Sequence, residues 1–171
     1  MSDINKIPLV SSEIGGLWTS YMTDTMTKCV LSYFLSQVKD EETRAILQTT
    51  LDLSNQHIQE LADLFKKEKL PIPNGFTDSD VKVDVPRLFT DSFYLQYLGF
   101  ISRVSMHNYT LLLNQMARPD IRAYFSKRIY ENIDLYNNSA DIRLSQGIFI
   151  RAPRVEVTKE VQYVKSIRFH G

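Results

Sequence analysis

The segment from Leu70 to Phe89 constrains the fold more than any other part of this sequence. Pro71, Pro73, Gly75 and Pro86 interrupt it and together exclude a continuous helix. Its twenty residues can span about 66 Å when extended, at ~3.3 Å each, whereas a 28-residue helix is only about 42 Å long. A structureless segment of this length is uncommon in a small domain unless it has a geometric task. We therefore expect it to run the full length of a helical bundle.

Four stretches with apolar residues at helical spacing surround this segment. Two precede it, from Ser11 to about Val38 and from Asp40 to about Lys69, and two follow it, one from Asp91 and one from Pro119 to about Gly147. Ser and Asp are good helix caps, and Pro is well suited to the first position of a helix. Short connections make neighbouring helices antiparallel, whereas the long one lets helix 3 start beside helix 2 and run parallel to it.

The sequence therefore predicts an all-α protein, a ferritin-like four-helix bundle with one long crossover between helices 2 and 3. A chain of this length suits one domain, so we expect a single domain over residues 1–171. The bundle would cover about 11–147, and a C-terminal tail would cover 148–171. The predicted inward stripes are these: Ile14, Trp18, Met22, Met26, Cys29 and Tyr33; Leu47, Leu51, Ser54, Ile58, Leu61 and Phe65; Tyr94, Tyr97, Ile101, Val104, Asn108, Leu111 and Leu112; Ile121, Phe125, Ile129, Asn132, Tyr136 and Ala140.

Such a bundle can hold two irons when each helix directs a carboxylate inward, with a Glu-x-x-His motif on two of them. The nearest match here is Ser54-Asn55-Gln56-His57, in which a serine stands where the acid would be. The predicted helical phases turn Asp24, Glu131 and Asp134 outward. Di-iron oxidase chemistry is therefore disfavoured, and the sequence predicts neither catalytic residues nor a bound cofactor.

Two interpretations remain open for the polar residues on the predicted inward faces. In the first, Ser54, His57, Asn108 and Asn132 form a buried polar layer that satisfies its own hydrogen bonds and fixes which helices are neighbours. In the second, His57 and His107 hold a single zinc or similar divalent ion. Without an acid or a thiolate such a site would be weak, so the first interpretation is favoured.

Charge and cysteine content limit the partners. Twenty basic and twenty acidic residues give no net charge, so nothing favours nucleic acid or an anionic membrane surface. No stretch approaches the roughly 20 apolar residues that a transmembrane helix needs, and Met1 to Leu9 lacks the apolar core of a signal peptide. The single cysteine, Cys29, favours a reducing, cytoplasmic location and is expected to be a buried structural thiol.

Several segments resemble the Bacillus-type bacterial family known as domain of unknown function 3231. The resemblance covers nearly the whole chain and is carried by Ser11 to Tyr21, Leu70 to Val81, Pro86 to Asp91, Arg118 to Phe125 and Gly147 to Pro153. It implies a ferritin-like bundle that is distantly similar to spore coat proteins of the F type, and it implies no established activity. Many members resemble two bundles in tandem, whereas this chain contains one.

These observations predict a non-catalytic structural or interaction module, associated with sporulation or the spore coat. The alternative is a protein that binds a small ligand or a single metal at the centre of the bundle, through His57 and His107. A homodimer is expected, because another copy could supply the second bundle of the family pattern. Leu17, Leu35 and the apolar residues of the tail would then form the contact. An unidentified protein partner is also open.

Overall fold

A computed structural model describes residues 7–154, which form four long helices: α1 (Ser11–Gln37), α2 (Glu41–Lys67), α3 (Asp91–Leu113) and α4 (Pro119–Ser145). A short 3-10 turn, Asp78–Asp80, lies in the connection between α2 and α3. No strand occurs in the range described. The prediction of an all-α bundle with one long crossover is confirmed. The predicted tail lies outside the described residues from 155 onward, and the single domain over the whole chain stays a prediction.

Three of the helices begin with recognisable capping chemistry. The Asp40 carboxylate accepts from Thr43 N at 2.8 Å, and the Thr90 hydroxyl accepts from Phe93 N at 3.2 Å. Pro119 is the first residue of α4, where its missing N–H has no helical partner to lose. The cap of α3 is therefore Thr90, one residue before the Asp91 that the sequence suggested.

The beginning of α1 is held by its own glutamate. Glu13 is buried, and its Oε2 accepts from Val10 N at 3.0 Å. Its Oε1 accepts from Ala117 N at 2.9 Å and Arg118 N at 2.8 Å, the two amides that precede α4. One carboxylate thus satisfies free N–H groups at the starts of two helices and ties those starts together.

The crossover runs along one face of α1. Gly75, at a φ of +64°, packs so tightly that a Cβ would lie 2.9 Å from the methyl of Thr25. Further along, Cys29 Sγ donates to Thr77 O at 3.3 Å, and Leu88 N donates to the Tyr33 hydroxyl at 2.9 Å. The covered α1 residues follow one another at steps of four, so the loop extends along the helix as its length predicted. The thiol of Cys29 is buried beneath it.

The core consists of two apolar clusters that are separated along the bundle axis by a polar layer. The first contains Leu31, Phe34, Ile46, Leu47, Tyr94, Leu95, Leu98 and Leu135. The second contains Leu17, Leu61, Phe65, Tyr109, Ile121 and Phe125. Going along the chain, α1 and α4 pass from the second cluster to the first, whereas α2 and α3 pass from the first to the second. Helices α2 and α3 therefore run parallel, as the crossover requires.

The predicted stripe of α2 agrees with its buried face, but the stripes of α1 and α3 were wrong in phase, and so was that of α4 after Phe125. In α1, Trp18 and Met26 are exposed, whereas Leu17 and Asp24 are buried. In α3, Leu111 is exposed on the outer side. Leu17 is completely inaccessible, so it cannot contribute to a contact between copies as the sequence suggested.

A buried ion network at the centre of the bundle

The polar layer between the two apolar clusters receives residues from all four helices. Its buried members are Ser20 and Asp24 of α1, Thr50, Ser54 and His57 of α2, Ser102 of α3, and Arg128 of α4. Three of these residues, Asp24, His57 and Arg128, are ionisable, and the half-buried Glu131 of α4 contacts two of them. The centre of the bundle is therefore ionic.

His57 lies between two carboxylates. Its Nδ1 is 3.3 Å from Oδ1 of Asp24, and its Nε2 is 3.0 Å from Oε2 of Glu131. Burial alone would lower the pKa of His57, but the two acids outweigh burial and raise it. His57 thus links α2 to α1 on one side and to α4 on the other.

Arg128 carries the network away from His57 towards the surface. Its guanidinium has no exposed area, and it pairs with Glu131 (Nη1 to Oε2, 2.6 Å) and with Glu60 of α2. Its carbon Cζ lies 4.5 Å from the ring centroid of Tyr124. Lys127, half exposed, adds contacts to the same two carboxylates at 3.3 and 3.7 Å. His57 and Arg128 together hold the pKa of Glu131 at about 2, although burial acts in the opposite direction.

One carboxylate oxygen in this layer is left over. Asp24 is 5% exposed, and its Oδ2 has no hydrogen-bond partner among the residues of the described part of the chain. Burial raises the pKa of Asp24, despite the hydrogen bond with His57. Asp24 lines a cavity of about 40 Å³, together with Ser54, His57 and Glu131. A buried acceptor beside an empty space is an incompletely satisfied site.

The geometry is that of a charge network. The two ring nitrogens of His57 point to opposite sides, so an ion bound to one nitrogen is not within reach of the carboxylate beside the other. Between residues 7 and 154, no group of three or more His, Cys, Asp or Glu side chains has an arrangement suited to a metal. The positive charge beside Glu131 and Glu60 comes from Arg128 and Lys127.

The structure brings together only part of the predicted site. Ser54 and His57 are buried in the polar layer, but Asn108 is exposed on the outer side of α3. Asn132 is half-buried and donates to the Arg128 carbonyl in its own helix at 2.9 Å. The prediction that Asn108 belongs to the buried polar layer is therefore wrong, because the buried phase of α3 passes through Ser102 and Tyr109 instead.

The two histidines do not meet either. His107 is exposed and lines a separate surface pocket with Met106, Thr110 and Ile129, whereas His57 lies in the core. A metal site that uses both is incompatible with this arrangement. The expectation that Asp24 and Glu131 point outward was also wrong, since both contact His57.

Sequence reasoning missed Arg128 because the predicted inward stripe of α4 passes from Phe125 to Ile129, one position beyond the buried Arg128. Arg128 nevertheless follows Ile121 and Phe125 at helical spacing, and it has Glu131 three positions later. Such a pair lies on one face of a helix. This spacing was the available signal.

The sequence profile of the family described as protein of unknown function (DUF3231) matches residues 2–161. The chain belongs to this family. No curated protein matches it. Among solved structures, this chain is similar to a "putative spore coat protein" of Bacillus halodurans. The TM-score is 0.83 and the sequence identity is 16%, over 91% of this chain and 100% of that one. It also resembles a conserved hypothetical protein of Mycobacterium tuberculosis, with a TM-score of 0.66 and 8% identity over 85% and 98% of the two chains. At these identities the likeness shows the fold, a helical bundle.

Proposed function

We propose that this DUF3231 protein is a non-catalytic structural or interaction module that associates with the spore. The observation that carries the proposal is the fully buried guanidinium of Arg128, which pairs with Glu60 and Glu131 at the centre of the bundle. A buried ion pair contributes little net stability compared with apolar packing, but it specifies which groups must meet. This network suits a protein whose task is to keep one rigid shape.

Two further observations support this role. The order of the core clusters makes α2 and α3 parallel, which supports assigning the bundle to the ferritin-like type. The similar structure from Bacillus halodurans carries a spore coat description. We extend that description to this chain as part of the proposal.

A homodimer is the proposed state, and the exposed apolar residues of the bundle support it. Trp18 and Met26 of α1 and Phe93, Phe100 and Leu111 of α3 all have more than a third of their surface exposed. Large exposed apolar patches are rare on monomeric proteins, and they often mark interaction sites.

None of the helices between residues 7 and 154 combines the length and apolarity that a bilayer span requires.

Two measurements test this proposal: an assay of iron oxidation by the purified protein, and the location of the protein in sporulating cells. Purified protein is titrated anaerobically with Fe(II) and then exposed to air, while an epitope-tagged copy is followed by immunoblot through spore purification in a sporulating host. We expect no saturable absorption from oxo-bridged iron, and enrichment of the tagged chain in purified spores. The same tag alone is the control. Saturable iron oxidation, or a chain that stays with the mother-cell fraction, would contradict the proposal.

A further inference from the structure

Two adjoining cavities lead from the surface to the unsatisfied carboxylate oxygen of Asp24. The inner one, of about 40 Å³, lies beside Asp24 and His57. The outer one is a groove of about 240 Å³ between α1 and α3, with Asn108 and Leu112 in its wall. Both are lined by Thr23, Ser105 and Tyr109. These shared walls make the groove the approach from solvent to the inner cavity.

The lining of both cavities favours a ligand that carries positive charge. Asp24, Glu131 and His57 line the inner cavity, and neither wall includes a lysine or an arginine within the described residues. His57 contacts Oδ1 of Asp24 and Oε2 of Glu131, so Oδ2 of Asp24 is the carboxylate oxygen that is left without a partner. The Arg128 guanidinium contacts Glu131 but not Asp24. A buried carboxylate oxygen without a partner is costly, and a positively charged donor is the group that removes this cost most effectively.

The hydroxyl groups of the lining point to the same chemistry. Ser20, Thr23 and Thr50 each donate their proton to the carbonyl of the residue four positions earlier, at 2.9, 2.9 and 2.7 Å. With the protons committed to the helix backbone, only the lone pairs of these oxygens remain for a ligand. At these three positions the lining therefore offers hydrogen-bond acceptors, which suit a ligand with N–H donors.

We propose that these cavities form a binding site for a small primary amine, whose ammonium group hydrogen-bonds to Asp24 Oδ2. An inner space of about 40 Å³ exceeds the 10–15 Å³ that one water needs, so it admits an ammonium group. The short alkyl part lies in the groove, against Leu111 and Leu112. This site does not use Arg128, so it is independent of the structural role proposed above, and either can fail without the other.

The experiment is a titration of the full chain with n-propylamine hydrochloride, at constant ionic strength, followed by calorimetry and by backbone amide NMR shifts. We expect saturable binding, with shifts in α1 around Asp24 and in α3 around Ser105. Tetramethylammonium chloride is the control ligand, because it has the same charge but no N–H donor. It should not bind.

Substitutions test whether the ammonium group binds at Asp24. Asp24→Asn should weaken propylamine binding about 10- to 100-fold, the range expected for losing a hydrogen bond to a charged group. Asp52→Asn, an exposed carboxylate on α2, is the matched control and should leave the affinity unchanged. Ser105→Leu blocks the shared wall and should abolish binding with Asp24 intact, so it tests the site even if Asp24→Asn fails to fold. Equal binding of tetramethylammonium, or unchanged affinity in Ser105→Leu, would overturn the proposal.

Discussion

Replacing Arg128 with methionine should be the most damaging single change in the polar layer. Methionine keeps most of the side-chain volume but leaves Glu131 and Glu60 without their buried cation. Breaking a buried ion pair by removing one partner costs about 3–5 kcal/mol. Glu60 is 36% exposed and can regain water, so we expect a loss near the lower limit, about 3 kcal/mol. For a chain of this size, that loss lowers Tm by about 6–12 °C.

Urea denaturation followed by far-UV circular dichroism measures this loss, with Lys127→Met as the matched control. Lys127 contacts the same two carboxylates from the neighbouring position, but its side chain is half exposed. Exposed ion pairs contribute about 0.2–1 kcal/mol. If Arg128→Met and Lys127→Met lose the same small amount, Arg128 is hydrated in solution and the buried network is not the centre of the fold.

Three further predictions concern other parts of the molecule. Glu13→Gln should cost about 1–3 kcal/mol in urea denaturation, because a neutral amide replaces a carboxylate that accepts three backbone N–H bonds; a change below 0.5 kcal/mol, the usual range for surface positions, would contradict this. The pKa of Glu131 is lowered from 4.5 to about 2 in the folded state, so its stabilising effect is complete above pH 4.5 and is lost as the pH falls towards 2. In Glu131→Gln, the urea midpoint should therefore depend less on pH between pH 4.5 and about 2. A wild-type midpoint that does not change over this pH range would contradict the lowered pKa of Glu131. Light scattering should give twice the 19.8 kDa chain mass, and a single-chain mass at micromolar concentration would exclude the dimer.

The fold could be predicted because its strongest signals are local. The proline-rich segment Leu70 to Phe89 permits only a crossover, and α2 has one clearly apolar face, so its buried residues were found correctly. Helix α1 gave no such signal, since apolar residues occur all around it and Trp18 is as apolar as Leu17. Its phase is set by the crossover, which covers the face that contains Thr25 and Cys29. That contact is tertiary and could not be read from spacing.

The candidate site was missed for the same physical reason. A charged residue is normally assigned to the outer face of a helix, because burying it alone is unfavourable. Asp24, His57 and Arg128 are buried, and Glu131 is half-buried, because they neutralise one another across three helices. Each is improbable on its own inward face, and the set becomes favourable only when all are present. When each helix is considered separately, every charged residue of the network is therefore assigned to the solvent-facing side.

The same network explains why the polar layer contains both a rigid part and an unsatisfied part. Arg128, Glu131 and His57 connect α2 with α4, and His57 extends the connection to α1 through Asp24. Helix α3 contributes no charged member of this network; at this level it presents Ser102 and Tyr109. Oδ2 of Asp24 has no hydrogen-bond partner among the described residues. An opening between α1 and α3 follows from that asymmetry, and a ligand supplied from solvent is the group that can complete the layer.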